Sequence, residues 1–460
     1  MDFDYSRWSE RLQELCRLHD VPGATLAIGV GGEVHEVAVG VLDKATGAPM
    51  GNDAMFQIGS ITKVYTATAV MQLVAQGAVE LDTRVCEVLS GFRVADPATT
   101  RYLTVRHLLS HTSGLENGVF PDVGSDDDCL ERYLASCTDL GQLHPLGALG
   151  AYSHAGFLIA GRLVERLTGK VWESAVRDLL LDPLGLHDTV TRPDLADHAR
   201  RVPGHRAPSA PALSSLDPGR VSAPVPTPAP LRWDTPRVMG PGSGFCATAG
   251  DMVRFAMAHM SDAESNLPPA AVKAMREPQA PMPCAWGGGY RGLGWRLYPG
   301  KHSSTYGHGG ELPGLLTYLY AVENPSLAIA LCSNGGDNMA LRSDVRDDLA
   351  ALAGVTVRRF EAPNTPADVD IEPFLGTYRC SPAEARLERD GSGIWLRPRF
   401  AGGGARGTLM PRETRLVPVT DTLLAGFECD GAYPIPVTLH VLPDGSRYIY
   451  ARERTLRKVS

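Results

Sequence analysis

The sequence predicts an α/β unit followed by a smaller all-β unit. Three observations carry that expectation. The chain has 460 residues, more than a single hydrophobic core usually serves. Up to about residue 355, stretches of strand pattern alternate with stretches of helical period. Beyond "EAPNTPADVD" (361–370) the pattern changes to short alternating strands, with Asp-Gly turns at 390–391 and 444–445. Asp-Gly between alternating apolar runs is a strong hairpin signal. The expected organisation is therefore a catalytic-sized unit over 1–360, a linker over 361–370, and an antiparallel barrel or meander over 371–460.

Residues 5–18 read as a helix with Trp8, Leu12, Leu15 and Leu18 on one side. "ATLAIGV" (24–30) and "VHEVAVGVLD" (34–43) are β-rich, and the glycines between them mark a hairpin. Ser60 to Gly77 reads as an apolar helix. From 104 to about 200 the period is mostly helical, and Gly169 supplies a C-cap after "HAGFLIAGRLVERLT". The stretch 202–237 is rich in Pro, Ala and Ser. Leu231 and Trp233 give it something to bury, so we expect an excursion over a cleft rather than a plain linker. Apolar helical pattern resumes in "GSGFCATAGDMVRFAMAHM". Strands are expected at 303–310, 315–323 and 327–336, and a last helix at 337–353.

Several function classes are disfavoured. Net charge is −8 without a long basic run, which argues against nucleic acid as a partner. No stretch is long and apolar enough for a membrane span. The N-terminal residues lack the pattern of a secretory signal, so a cytoplasmic location is expected. The nine cysteines are scattered without a Cys-x-x-Cys pair, so neither a zinc site nor a disulfide framework is expected. His107 and His111 lie four apart, but a metal is not expected there. "WGGGYRGLG" (286–294) lacks the lysine of a phosphate loop. No cofactor is expected.

The chemistry starts at "IGSITKVYTATAVMQLV". Ser60 and Lys63, three apart, share one face of a helix. Alone this leaves two readings open. The serine is either an N-cap beside a snorkelling lysine, or a nucleophile beside its base. The second needs a neutral lysine, which burial supplies. Further along, Tyr152 and His154 sit in a short polar turn before a helix. His308 precedes Gly309 and Gly310, where a substrate backbone can approach closely. Trp233, Trp286 and Trp295 are candidate cleft-lining aromatics. Arg452 and Arg454 are candidates to reach a substrate carboxylate.

The order Ser60-x-x-Lys63, Tyr152-x-His154 and His308-Gly309-Gly310 resembles the serine β-lactamase and penicillin-binding-protein superfamily, in its class C-like branch. "PGATLAI", "GAVELD" and "LTVRHLLSHTSGL" extend the resemblance over roughly residues 10–355. It implies a central antiparallel sheet beside an all-helical subdomain. It implies Ser60 as the acylated nucleophile, Lys63 as its base and Tyr152 as the proton shuttle. It places His308 at the lysine of the Lys-Thr-Gly motif, and the backbone N–H groups of Ser60 and Glu311 around the oxyanion. His154 replaces the asparagine of the Tyr-x-Asn motif. Residues 371–460 are similar to the lipocalin-like domain of D-amino-acid peptidases and penicillin-binding-protein-type thioesterases. The expected activity is amide-bond formation, as an amide synthase or peptide cyclase, from an ester or thioester donor and an amine acceptor. The alternative is a cytoplasmic serine hydrolase acting on esters, D-amino-acid peptides or, weakly, β-lactams.

Overall fold

The computed structural model describes residues 4–116, 121–205, 233, 235–260, 265–282, 289–299, 304–352, 354, 362–381, 383–391, 393–400, 413–428, 434–451 and 453–460. Helix α1 (Tyr5–Leu18) is capped by the Asp4 side chain on Arg7 N. Strands β1 (Gly23–Val30) and β2 (Glu33–Asp43) form the expected hairpin. Its two turn glycines, Gly31 and Gly32, both take positive φ. Trp8, Leu12 and Leu15 are buried as expected, but Leu18 is 68% exposed. The helix ends there, with His19 as its C-cap, so Leu18 lies in the last, outermost part of the helix.

A nine-stranded antiparallel sheet organises the first unit. Besides β1 and β2 it contains β3 (Ala48–Pro49), β4 (Ala280–Pro281), β5 (Tyr290–Arg291), β6 (Arg296–Pro299), β7 (Ser304–Leu312), β8 (Leu315–Val322) and β9 (Leu327–Ser333). Their order is β3-β2-β1-β9-β8-β7-β6-β5-β4. The central strands β1, β8 and β9 are buried almost throughout, as strands covered on both faces should be. One face packs against α1 through Leu26, Ile28 and Leu331. The opposite face meets a larger core that runs into the helical region.

That core contains α2 (Thr62–Ala75), α3 (His154–Thr168) and α4 (Ala249–Met257). Helix α2 is buried on nearly every side, its threonines and Lys63 included, so it sits in the interior rather than on the surface. Helix α5 (Asn338–Leu352) contributes Leu341, Val345 and Leu349 to the α1 side.

The C-terminal strands close into a barrel: β10 (Gly376–Cys380), β11 (Ala383–Asp390), β12 (Gly393–Phe400), β13 (Thr414–Pro418), β14 (Leu423–Glu428), β15 (Ile435–Val441), β16 (Arg447–Ala451) and β17 (Arg454–Lys458). Its inward residues include Tyr378, Leu387, Leu396, Val437 and Ile449. The same cluster takes in Leu143 and Ala151 of the first unit, so the barrel is seated on the segment that leads to Tyr152. The seven described cysteines are free, and six are buried. No helix among the described residues is long and apolar enough to cross a membrane.

The core holds histidines that fold neutral. His259 is fully buried, and burial pushes it down to about 4. Burial likewise lowers His111, His154 and His308. The unfolded chain binds protons at these rings below about pH 6.5, and the folded chain does not. Stability will therefore hold above pH 6.5 and fall as the pH drops toward 4. His259 alone is worth up to about 3 kcal/mol across that window. Thermal melts from pH 7.5 to 4.5 check this, and a flat melting temperature would contradict it.

Candidate active site

Ser60 lies in a 3-10 turn (Gly59–Ile61) that feeds α2. The turn depends on Gly59, which has φ +51, a region costly for residues with a Cβ. A Cβ there would also come within 3.3 Å of Glu311 N on β7. Helix α2 has Ile61 at its N-cap and no side-chain capping bond. Ser60 is therefore not a capping serine, and one of the two readings left open by the sequence falls.

Lys63 is completely buried. Its Nζ lies 3.3 Å from Ser60 Oγ and 3.2 Å from His154 Nδ1, and donates to Gly242 O at 2.8 Å. Burial drives its pKa well below the lysine range, and the positive charges of Arg454 and Arg296 push the same way. A neutral amine has two N–H donors and one lone pair. Gly242 O takes one donor. If His154 Nδ1 takes the other, the lone pair faces Ser60 Oγ, which is the alignment of a base with a nucleophile.

Tyr152 is buried and borders the same space. Lys63 Nζ stands 4.9 Å from its ring centroid, and the guanidinium carbons of Arg291 and Arg454 stand 5.5 Å and 5.9 Å away. Its hydroxyl closes no hydrogen bond among the described residues, although Ser60 is close enough to lower its pKa slightly. Burial dominates and raises the phenol to about 12. His111 stacks on the phenol ring with centroids 4.4 Å apart. Its Nδ1 accepts from Ser153 N at 3.1 Å, which places its ring proton on Nε2.

His308 is buried on β7. Its Nδ1 is 2.7 Å from Gly309 O, so it donates there, and the lone pair remains on Nε2. That atom meets no partner among the described residues. Burial, then Arg296 and Lys63, holds the imidazole neutral. The two following glycines differ in their surroundings. A Cβ on Gly310 would fall 2.0 Å from Ile58 O, whereas one on Gly309 would sit 3.6 Å from Arg296 Nη1. At Gly310 the close approach is thus made by the chain's own Ile58 carbonyl. That packing brings Glu311 N beside the turn carrying Ser60.

The structure brings together Ser60, Lys63, Tyr152, His154, His308, Gly309 and the Gly310–Glu311 backbone. It does not bring Trp233 to them. Trp233 packs beside Met55, Ala196, Val190 and Cys246, and its Nε1 donates to Val202 O at 3.0 Å. The covering excursion expected over 202–237 falls outside the described residues from 206 to 232, as do Arg452 and Trp286. Trp295 is a core residue, packed with Phe255, His259 and Tyr306.

Sequence reasoning missed Arg291, Arg296, Glu453 and the Gly242 carbonyl. Arg291 and Arg296 flank a glycine-containing turn; the first lies in the 286–294 stretch weighed for phosphate binding, and the second just beyond it. Glu453 connects β16 to β17 with φ +65. It accepts from Arg291 Nη2 at 3.2 Å and Arg296 Nη2 at 2.9 Å.

Residues 9–353 match the protein-family model described as Beta-lactamase. The chain belongs to the β-lactamase family. It is similar to Penicillin-binding protein 4 of Amycolatopsis lactamdurans, with 41% identity over 389 residues, covering 82% of this chain and 98% of that protein. It is also similar to Esterase EstB of Burkholderia gladioli, 32% identical over 298 residues, 59% of this chain and 73% of the relative. Among solved structures, SurE matches with a TM-score of 0.76 and 27% identity over 99% of both chains. D-amino acid amidase from Ochrobactrum anthropi SV3, at 24% identity, a TM-score of 0.60 and 75% and 98% coverage, shares the fold. The β-lactamase model stops before the barrel, while the likeness to SurE takes it in. The chain is thus a serine acyltransferase or hydrolase of the β-lactamase and penicillin-binding-protein superfamily.

Proposed function

We propose that this enzyme forms an amide bond by transferring an acyl group from an ester or thioester, through Ser60, to an amine. The observation that carries the acyl-enzyme is the buried Lys63 Nζ, within reach of Ser60 Oγ and without a carboxylate contact among the described residues. Ser60 Oγ passes its proton to Lys63 and bonds to the donor carbonyl. The resulting oxyanion is met by the backbone N–H groups of Ser60 and Glu311. Collapse breaks the bond to the alcohol or thiol, which takes a proton from Lys63 or Tyr152. An amine then attacks the Ser60 ester, losing its proton through Tyr152 as Ser60 regains one.

Transfer rather than hydrolysis is supported by two features. His308 Nε2 is an acceptor without a partner among the described residues, suited to an incoming N–H. The barrel places Glu453 and Arg454 against the site, which narrows access for water. The likeness to SurE over both units, and its crystal form with D-Leu, supports a D-residue as part of the donor or acceptor. The similarity to EstB favours a second reading, simple ester hydrolysis.

Intact-protein mass spectrometry tests the proposal, using a peptidyl thioester ending in a D-residue, with and without an added amine. The expected result is an acyl adduct that Ser60→Ala abolishes, with amine diverting product from acid to amide. His308→Ala is expected to lower the amide-to-acid ratio about tenfold or more while the adduct still forms. Acid as the sole product with every amine would select the hydrolase.

A further inference from the structure

The turn between β16 and β17 belongs to the barrel in sequence but to the active site in space. Glu453 Oε2 joins Arg291 and Arg296, which come from β5 and from β6 at the edge of the main sheet. Arg296 in turn lies beside Gly309 on β7. The next residue, Arg454, donates from Nη1 to the backbone carbonyl of Tyr152 at 3.3 Å. Its neighbour Thr455 donates to Gly150 O at 3.2 Å. Two consecutive side chains of one turn thus grip both walls of the site.

We propose that this turn is a working part of the catalytic centre, in which Glu453 and Arg454 are positioning residues that set the proton affinity of Lys63. This rests on the reading of Lys63 as the base of Ser60. The geometry makes the two residues opposite in effect. Glu453 brings a carboxylate to Arg291 and Arg296, whereas the Arg454 guanidinium stands 5.9 Å from the centroid of the same Tyr152 ring that Lys63 Nζ approaches at 4.9 Å. Lys63 is also faced by His154, Tyr152, His308 and His111 from the helical side and β7, and by Arg296 and Arg291 from the sheet edge. The four rings are neutral near pH 7, because burial lowers the histidines and raises the phenol. Arg291 and Arg296 are held in place by Glu453. On top of the dominant effect of burial, fixed charge from the barrel therefore adjusts how readily Lys63 holds a proton.

The signs follow directly. A carboxylate favours protonated Lys63, so removing it lowers the pH at which the amine becomes free. A guanidinium disfavours protonated Lys63, so removing it raises that pH.

The test measures the pH dependence of Ser60 acylation by a neutral p-nitrophenyl ester, in the full-length wild type and in Glu453→Gln, Arg454→Gln and Arg454→Lys. The acid limb is expected to move down by about one pH unit in Glu453→Gln and up by about one in Arg454→Gln. Arg454→Lys keeps the charge and should stay near the wild type. A merely structural role would slow the variants without moving their limbs in opposite directions. Limbs that coincide, or that move the same way, would overturn the proposal. If Arg454→Gln does not fold, as read by its melting curve, a downward shift in Glu453→Gln with an unmoved Arg454→Lys limb supports it, and an unmoved Glu453→Gln limb overturns it. Mass spectrometry of the wild type separates the two levels. An adduct on Ser60 with unmoved limbs sinks this inference alone, and no adduct sinks the reading of Ser60 and this inference together.

Discussion

Lys63→Ala will slow acylation of Ser60 by about a hundredfold to ten-thousandfold, the range for loss of a positioned base. The protein will still fold, because the amine contributes few bonds to the core. What it loses is the donation to Gly242 O and the contacts with Ser60 and His154. The more telling variant is Lys63→Arg. A guanidinium keeps its proton at any ordinary pH, so it cannot accept one from Ser60. It also forces a permanent charge into a space where burial already disfavours the charged form of the wild-type amine. Rates no better than those of Lys63→Ala are expected, together with a lower melting temperature. Burst kinetics with an activated ester check both. A Lys63→Arg enzyme that acylates within tenfold of the wild type would remove the base from the mechanism.

Gly310→Ala will damage the enzyme severely, whereas Gly309→Ala will be mild. The reason is one backbone contact. A methyl group at Gly310 would fall 2.0 Å from Ile58 O and 2.5 Å from Thr317 Oγ1. Ile58 cannot yield freely, because its N–H is bonded to Phe245 O and its carbonyl accepts from Thr317. Strand β7 must therefore shift away from the turn that carries Ser60, taking Glu311 N with it. Overpacking of this kind costs about 1–3 kcal/mol. A displacement near 1 Å at reacting groups costs about a hundredfold in rate. At Gly309 the nearest atom is Arg296 Nη1 at 3.6 Å, an ordinary contact. Denaturant melts and acylation rates for the two variants check the contrast, and equal effects would refute it.

Much of this fold is legible in the residues because local and distant signals agree. The β1–β2 hairpin announces itself through alternation and paired glycines. Helix α2 announces itself through a stretch dominated by Ala, Val, Met and Leu. The barrel's hairpins are marked at Asp390 and Asp444. Ser60, Lys63 and Tyr152 are legible because an order of motifs survives in the linear chain. Glu453 is not, because its meaning lies in partners about 160 residues away that carry no spacing signal of their own. Leu18 misleads for a related reason. Helical period says which residues share a face, but not how far along the helix that face stays covered. Trp233 misleads because an aromatic in a proline-rich stretch suits a small satellite core as well as a cleft.

The junction between Tyr152 and Arg454 spans 302 residues of chain. The sheet of the α/β unit is closed by a pairing just as distant, Ala24 of β1 on Ser333 of β9. The second unit supplies both the bond to the Tyr152 carbonyl and the carboxylate that ties Arg291 to Arg296. Removing it would strip two opposite charges from the surroundings of the cleft at one stroke. The α/β unit by itself is therefore expected to differ from the whole enzyme in its acid–base balance and not only in its bulk.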